Sequence, residues 1–231
     1  MIRMTTTPKV SADRNSSPAE PRPAGRRERS KHDKRARIHA AAAKLFAERG
    51  YSAVTTQDVA DEADVAIGTL FRYATSKPEL LTMVYNTTLR DGIARGVSTT
   101  EADGDITDQI MRLLGPLLDS GLQNRENLAV YQREILFGDP DGAFRAEALS
   151  LIDLLEASIA TVLGHLAQPD AELRLRPEVD VTLAARSIFS ALHMEIIRTG
   201  LGREIAADLP GTLRAEIELL VRGLTLPAGQ S

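Results

Sequence analysis

The chain has 231 residues, 43% of them hydrophobic, a formal net charge of −4 and no cysteine. That length and apolar content allow one large domain or two smaller ones, each with a core. A disulfide framework, a thiolate metal site and a cysteine nucleophile are excluded, and no run approaches the ~18 apolar residues that a membrane span requires.

Residues 1–37 carry 11 Lys/Arg against 4 Asp/Glu, the remainder 17 against 28. A basic arm on an acidic body suggests a polyanionic partner for that end alone, or else a solvated tail. Pro8, Pro18, Pro21 and Pro23 lie among Ser, Thr and Arg with few large apolar side chains, so residues 1–30 are expected to be a disordered arm. Nothing there resembles the apolar stretch of a secretory signal, and a reducing, cytoplasmic setting is expected. The end of the arm, including Arg35 and Arg37, runs directly into the first helix. From there it can follow phosphates or enter a minor groove, or serve only as a soluble lead.

Helical patterning begins at Asp33. Ile38, Ala41, Ala42, Leu45 and Phe46 form one stripe of period 3.6, and Gly50 is a stop signal. Thr55 or Thr56 caps a second helix, with Asp58 in its first turn. Asp64-Val65-Ala66 breaks the pattern, and Asp64 suits a left-handed residue. A third helix follows from Ile67. Residues 56–73 thus have the layout of a helix-turn-helix, whose second helix can present its N-terminal side chains to base edges in the major groove. Leu70 and Phe71 are expected in the core. Ser76-Lys77-Pro78-Glu79 is a capping box with proline in the first turn, opening a long fourth helix that frays around Gly96.

Residues 38–81 resemble the DNA-binding domain of TetR-type transcriptional regulators. The resemblance rests on Ala42-x-x-Leu45-Phe46-x-x-x-Gly50-Tyr51, Thr55-Thr56-x-x-x-Val59-Ala60, Gly68-Thr69-Leu70-Phe71-Arg72-Tyr73 and Ser76-Lys77-x-Glu79-Leu80-Leu81. It implies that Thr55 or Thr56, Tyr73 and Lys77 contact phosphates, and that Ile67, Gly68, Thr69 and Arg72 lie on or beside the base-reading face. A lysine and a phenol can both donate to phosphate oxygens, and arginine can grip guanine through two bonds. Thr55 or Thr56 can equally be a plain cap, and Lys77 a solvated helix start. Four positions depart from the family pattern: Asp64 for glycine, Ala66 for a hydroxyl residue, Phe71 for tyrosine and Ala74 for phenylalanine. The missing hydroxyls at Ala66 and Phe71 remove two possible phosphate contacts.

Beyond residue 100 the pattern is generic and helical. Helices are expected over 106–118, bent near Gly115-Pro116, over 124–137, from about 141–144 to 166, and over 177–199 and 209–224, with 168–177 a loop. Met111, Phe137, Phe144, Phe189 and His193 are candidate walls of a ligand cavity, although core packing explains them as well. The four histidines show no metal spacing, and no nucleophile elbow or phosphate-cradling loop is present. No catalytic residue, metal or cofactor is expected.

The expected fold class is therefore all-α, a three-helix N-terminal helix-turn-helix domain (31–78) followed by a helical effector-binding and dimerisation domain (79–226) and a short tail (227–231). The resemblance implies a regulator, most simply a repressor. Its partners would be a double-stranded DNA operator, a second copy paired through the last two helices, and a small-molecule effector that releases it. A ligand-binding sensor with weakened operator affinity and a helical enzyme with an unrecognised pocket are the alternatives.

Overall fold

Helix α1 (Arg26–Arg49) buries the predicted stripe, with Ile38 and Ala42 fully enclosed, and stops where Gly50 takes the left-handed φ of 76°. The computed structural model describes residues 26–99, 104–167, 173–200 and 208–227. α1 begins seven residues before Asp33, so residues 26–30 are helical and not part of a disordered arm. The charged run there consists of good helix formers with nothing to break it. Residues 1–25 of the expected arm and 228–231 of the expected tail lie outside the described residues.

α2 (Thr56–Glu62) is capped by Thr55 in a reciprocal box with Asp58: the Asp58 N–H donates to Thr55 Oγ1 at 3.1 Å and the Thr55 N–H to Asp58 Oδ2 at 2.8 Å. It ends in a Schellman motif, with Val65 N–H bonded to Ala60 O at 3.0 Å and Asp64 N–H to Asp61 O at 3.1 Å. Asp64 supplies the left-handed residue, at φ 50°. α3 (Ile67–Leu70) has four helical residues; residues 71–73 continue it only as a tight turn. Val59, Ala60, Leu70 and Ala74 close the small core over α1 and the start of α4 (Lys77–Thr99).

The box that opens α4 is displaced by one residue. Ser76 Oγ accepts from the Glu79 N–H at 3.3 Å, but the Glu79 carboxylate reaches back to Thr75, accepting from its hydroxyl at 2.8 Å. Instead of fraying at Gly96, α4 continues to Thr99. Gly92 and Gly96 are where α5 (Ile106–Leu122) lies against it: a β-carbon on Gly96 would stand 2.2 Å from the Leu113 carbonyl oxygen, and one on Gly92 2.5 Å from Leu117. Both glycines are buried contact points between helices, so neither acts as a terminator.

α6 (Arg125–Phe137) starts at an Asn124 cap, and α7 (Ala143–Gly164) runs into a 3-10 turn at His165–Ala167. The segment expected as a loop over 168–177 contains β1 (Leu173–Leu175), which pairs antiparallel with β2 (Thr225–Pro227) in the register Arg174 opposite Leu226. α8 (Val181–Gly200) starts after Pro177, because Asp180 accepts from the Thr182 N–H at 2.8 Å and fixes the helix end there. α9 (Leu209–Leu224) follows an Asp208 cap. Ile93, Leu113, Leu155, Ile159, Ile188 and Leu213 represent the larger core shared by these helices. Among the described residues the fold is all-α apart from the two short strands.

Candidate nucleic-acid interface and the cavity behind it

The α2–turn–α3 unit turns one flank to solvent. Gly68 and Arg72 are exposed, and Phe71 is 43% exposed, which corrects its expected place in the core. Of Leu70 and Phe71, only Leu70 is enclosed. A four-residue helix leaves Phe71 at its C-terminal edge, one position past the last core contact. Beyond its own helix backbone and chain neighbours, nothing lies within 4 Å of a β-carbon built on Gly68, so the surface there is open to a partner. Ile67 and Thr69 are half-buried beside it.

Around this flank the predicted contact residues are already partly engaged. The Thr55 hydroxyl serves the α2 cap, and Thr56 is half-buried. Those cap bonds also hold the Asp58 carboxyl below the usual carboxylate range. The Tyr73 hydroxyl donates to the Lys31 carbonyl at 3.2 Å, tying the end of the reading segment to α1. The Lys77 ammonium stands 4.1 Å from the centre of the Tyr51 ring, a cation–π contact that fixes its direction. Arg37 pairs with Asp64 at 3.0 Å, so the left-handed residue of the turn also neutralises one predicted DNA contact. Arg35 lies on the wall of a groove with Lys31, His32, Arg72 and Tyr73, opposite Glu79 and Glu147. Ala66 begins α3 with no side-chain cap.

Two helices hold this head from behind. α4 grows directly out of it. α6 is fastened to it by side chains: Asn127 Nδ2 donates to the Phe46 carbonyl at 2.8 Å, and Glu126 accepts from the Ser52 N–H at 3.0 Å. One turn along α6, the Tyr131 hydroxyl donates to Asn86 Oδ1 on α4 at 2.9 Å, and Asn86 Nδ2 donates to the Phe144 carbonyl at 2.8 Å and to Glu147 at 3.0 Å. Arg90 completes the cluster as an ion pair with Glu147. Burial drives the Tyr131 hydroxyl well above its ordinary pKa. Such a network of a buried amide and a phenol joins α4, α6 and α7 directly behind the head.

Immediately beyond it lies an apolar cavity of about 80 Å³. Tyr85, Thr88 and Leu89 of α4 face Leu128, Gln132 and Ile135 of α6 across it, and α7 contributes Ile152 and Leu155. Phe189 and His193 of α8, their rings 5.6 Å apart, form a further wall with Leu192 and Ile196, and α5 adds Leu117. Burial lowers the His193 pKa from 6.5. Of the five residues expected to wall a cavity, these two do so. Met111 packs instead against the large core. Phe144 packs against the core of the head, and Phe137 is 82% exposed at the end of α6. Tyr85, Tyr131 and Gln132 are wall residues that the sequence did not place at a cavity.

Residues 38–84 match the profile of the family described as bacterial regulatory proteins, tetR family. That segment is a DNA-binding domain of the TetR type. Its relatives include the HTH-type transcriptional repressor KstR of Rhodococcus jostii (strain RHA1), 29% identical over 197 residues, covering 82% of this chain and 83% of KstR. Among solved structures, the TetR family regulator PfmR of Thermus thermophilus is 25% identical with a TM-score of 0.56, covering 80% of this chain and 97% of that one. Thermus thermophilus FadR, a TetR family repressor solved with lauroyl-CoA, matches in fold with a TM-score of 0.65 at 24% identity, over 85% of this chain and 98% of that one. The chain is accordingly a DNA-binding transcriptional regulator, and the α2–α3 unit is its DNA-binding helix-turn-helix. Among the described residues no helix is long and apolar enough to cross a membrane, and no group of three or more His, Asp or Glu side chains is placed to hold a metal ion.

Proposed function

We propose that the protein is a homodimeric, cytoplasmic repressor that leaves its operator when an apolar or amphipathic small molecule enters the cavity. The observation that carries this reading is that the two helices attached to the head, α4 and α6, are also two facing walls of the cavity. Ligand pockets usually enclose ~300–1,000 Å³, so a molecule larger than a few atoms must part those walls. Parting them moves the supports of the head, and the ligand stabilises whichever arrangement accommodates it. KstR supports the repressor half of the reading, and the lauroyl-CoA bound by Thermus thermophilus FadR is an amphipathic ligand of the kind expected.

Dimerisation through α8 and α9 is supported by their outward apolar side chains. Leu183 and Met194 on α8 and Leu219 on α9 are exposed large hydrophobics, with the small Ser187, Ser190 and Ala191 between the first two. Two-fold pairing would set two heads roughly 34–36 Å apart for successive major grooves. In each head Gly68, Thr69 and Arg72 with Ile67 would face bases. Thr56, Lys77 and Arg35 would face phosphates, with Thr55, Tyr73 and Arg37 contributing only if they leave their present bonds. A sensor with weakened operator affinity is the second reading, favoured by the bare Ala66 cap and by Asp64 placing a carboxylate on the turn.

Footprinting of the full chain on its own upstream DNA tests the proposal. A discrete, two-fold symmetric protected site is expected, weaker in protein lacking residues 1–25. Binding without a discrete footprint would refute the operator reading.

A further inference from the structure

Gln132 projects from α6 into the cavity wall, and its Oε1 is buried without a hydrogen-bond partner. Two other polar groups of the wall are served within the protein. Tyr131 donates to Asn86, and the Thr88 hydroxyl bonds back to the Val84 carbonyl at 3.4 Å. Among the described residues the wall holds no Lys, Arg, Asp or Glu. Burial favours the neutral form of His193, so no cation stands ready there at neutral pH.

A buried, unpaired amide oxygen is costly in an otherwise apolar enclosure, and a ligand that supplies the missing donor recovers that cost on binding. Resting on the cavity reading above, we infer that the buried part of the effector is neutral and carries a hydroxyl that hydrogen-bonds Gln132. A hydroxyl donates and accepts, so it satisfies the amide in either of its two orientations and leaves a lone pair for the His193 ring. A carboxylate fails on both counts. It brings a charge to a site without a counter-ion, and it has no donor for the amide oxygen.

Three probes of equal chain length separate the possibilities: 1-octanol, its isomer 1-methoxyheptane, and octanoate, titrated calorimetrically into the full-chain protein at neutral pH. The alcohol is expected to bind about tenfold more tightly than the ether, and the carboxylate more weakly than either. Q132L should abolish the preference of the alcohol over the ether while leaving ether binding within about twofold. It should also raise the thermal midpoint of the ligand-free protein, because it removes the orphaned oxygen. If the ether binds as well as the alcohol, water already serves Gln132 and the inference falls while the cavity reading stands. Preferential binding of octanoate overturns it likewise. If none of the three binds, the cavity reading fails, and the inference with it.

Discussion

The Asn127 side-chain amide donates to the main-chain carbonyl of Phe46 at 2.8 Å, across 81 positions of sequence. Asn127 is 2% exposed, and its own Oδ1 has no partner, so the bond commits a buried polar group to fastening α6 onto the end of α1. Replacing it with alanine should lower unfolding free energy by about 1–3 kcal/mol in urea titration, the cost of losing a buried polar contact together with its packing. An unchanged urea midpoint would show that the bond contributes nothing to the attachment.

Gly68 and Gly96 make opposite predictions from the same substitution. At Gly68 an added methyl meets nothing within 4 Å, so Gly68→Ala should leave stability within about 0.5 kcal/mol while altering affinity for the footprinted site. At Gly96 the methyl would meet the Leu113 main chain, which cannot swing aside as a side-chain tip would. Gly96→Ala should therefore cost about 1–3 kcal/mol despite the better helix propensity of alanine. Equal thermal midpoints for the two variants would contradict the described α4–α5 contact.

Asp64→Gly should keep the turn, because glycine adopts φ 50° more readily than aspartate, and it should release Arg37 from its ion pair. With a carboxylate removed from the reading head and a guanidinium freed, DNA affinity should rise and the salt dependence should steepen by about one unit of log–log slope. Arg72→Ala is the counterpart. Either it flattens that slope by about one unit or it relaxes preference at one base pair by about 1–3 kcal/mol, depending on whether Arg72 meets phosphate or guanine. Fluorescence anisotropy across a salt series distinguishes the cases. No change in either quantity removes Arg72 from the interface.

Acid should weaken the fold before the carboxylates begin to titrate. Burial holds His39 and His193 below the ordinary 6.5, with Arg35 adding its repulsion at His39 against an opposing pull from Asp91. As pH falls through 6.5 the unfolded chain takes up these protons first, so stability is full above that value and is lost below it until the lower folded-state values are passed. Urea midpoints at about pH 7.5 and 5.5 should differ, and the double substitution His39→Gln with His193→Gln should shrink the difference. A difference of the same size in both proteins would assign the loss to other groups.

Local chemistry was legible in the sequence, and distant chemistry was not. The cap at Thr55 or Thr56, of which the structure uses Thr55, the left-handed Asp64 and the stripe from Ile38 to Phe46 depend on residues within a turn or two of one another, and local residue type and spacing predicted them. Phe71 misled because an apolar side chain at the edge of a four-residue helix has no second turn to show which way it faces. Gly96 read as a helix end because a stop signal and a close helix crossing use the same residue. β1 and β2 are three residues each and about fifty positions apart, and no turn signal joins them. Phe189 and His193 reached the cavity while Phe137 and Phe144 did not, since helical spacing tells which residues share a face but not what that face meets. The Gln132 oxygen stands out only once its neighbours are known.

The double anchorage of the head, through the backbone of α4 and the side chains of α6, has a mechanical result. A body carried on a single rod is free to spin about it, whereas one carried on two rods set side by side can only rock in the plane that contains them. Any push that spreads the rods is thereby converted into tilt along one direction, and Asn127 and Glu126 are the pins that keep the second rod attached.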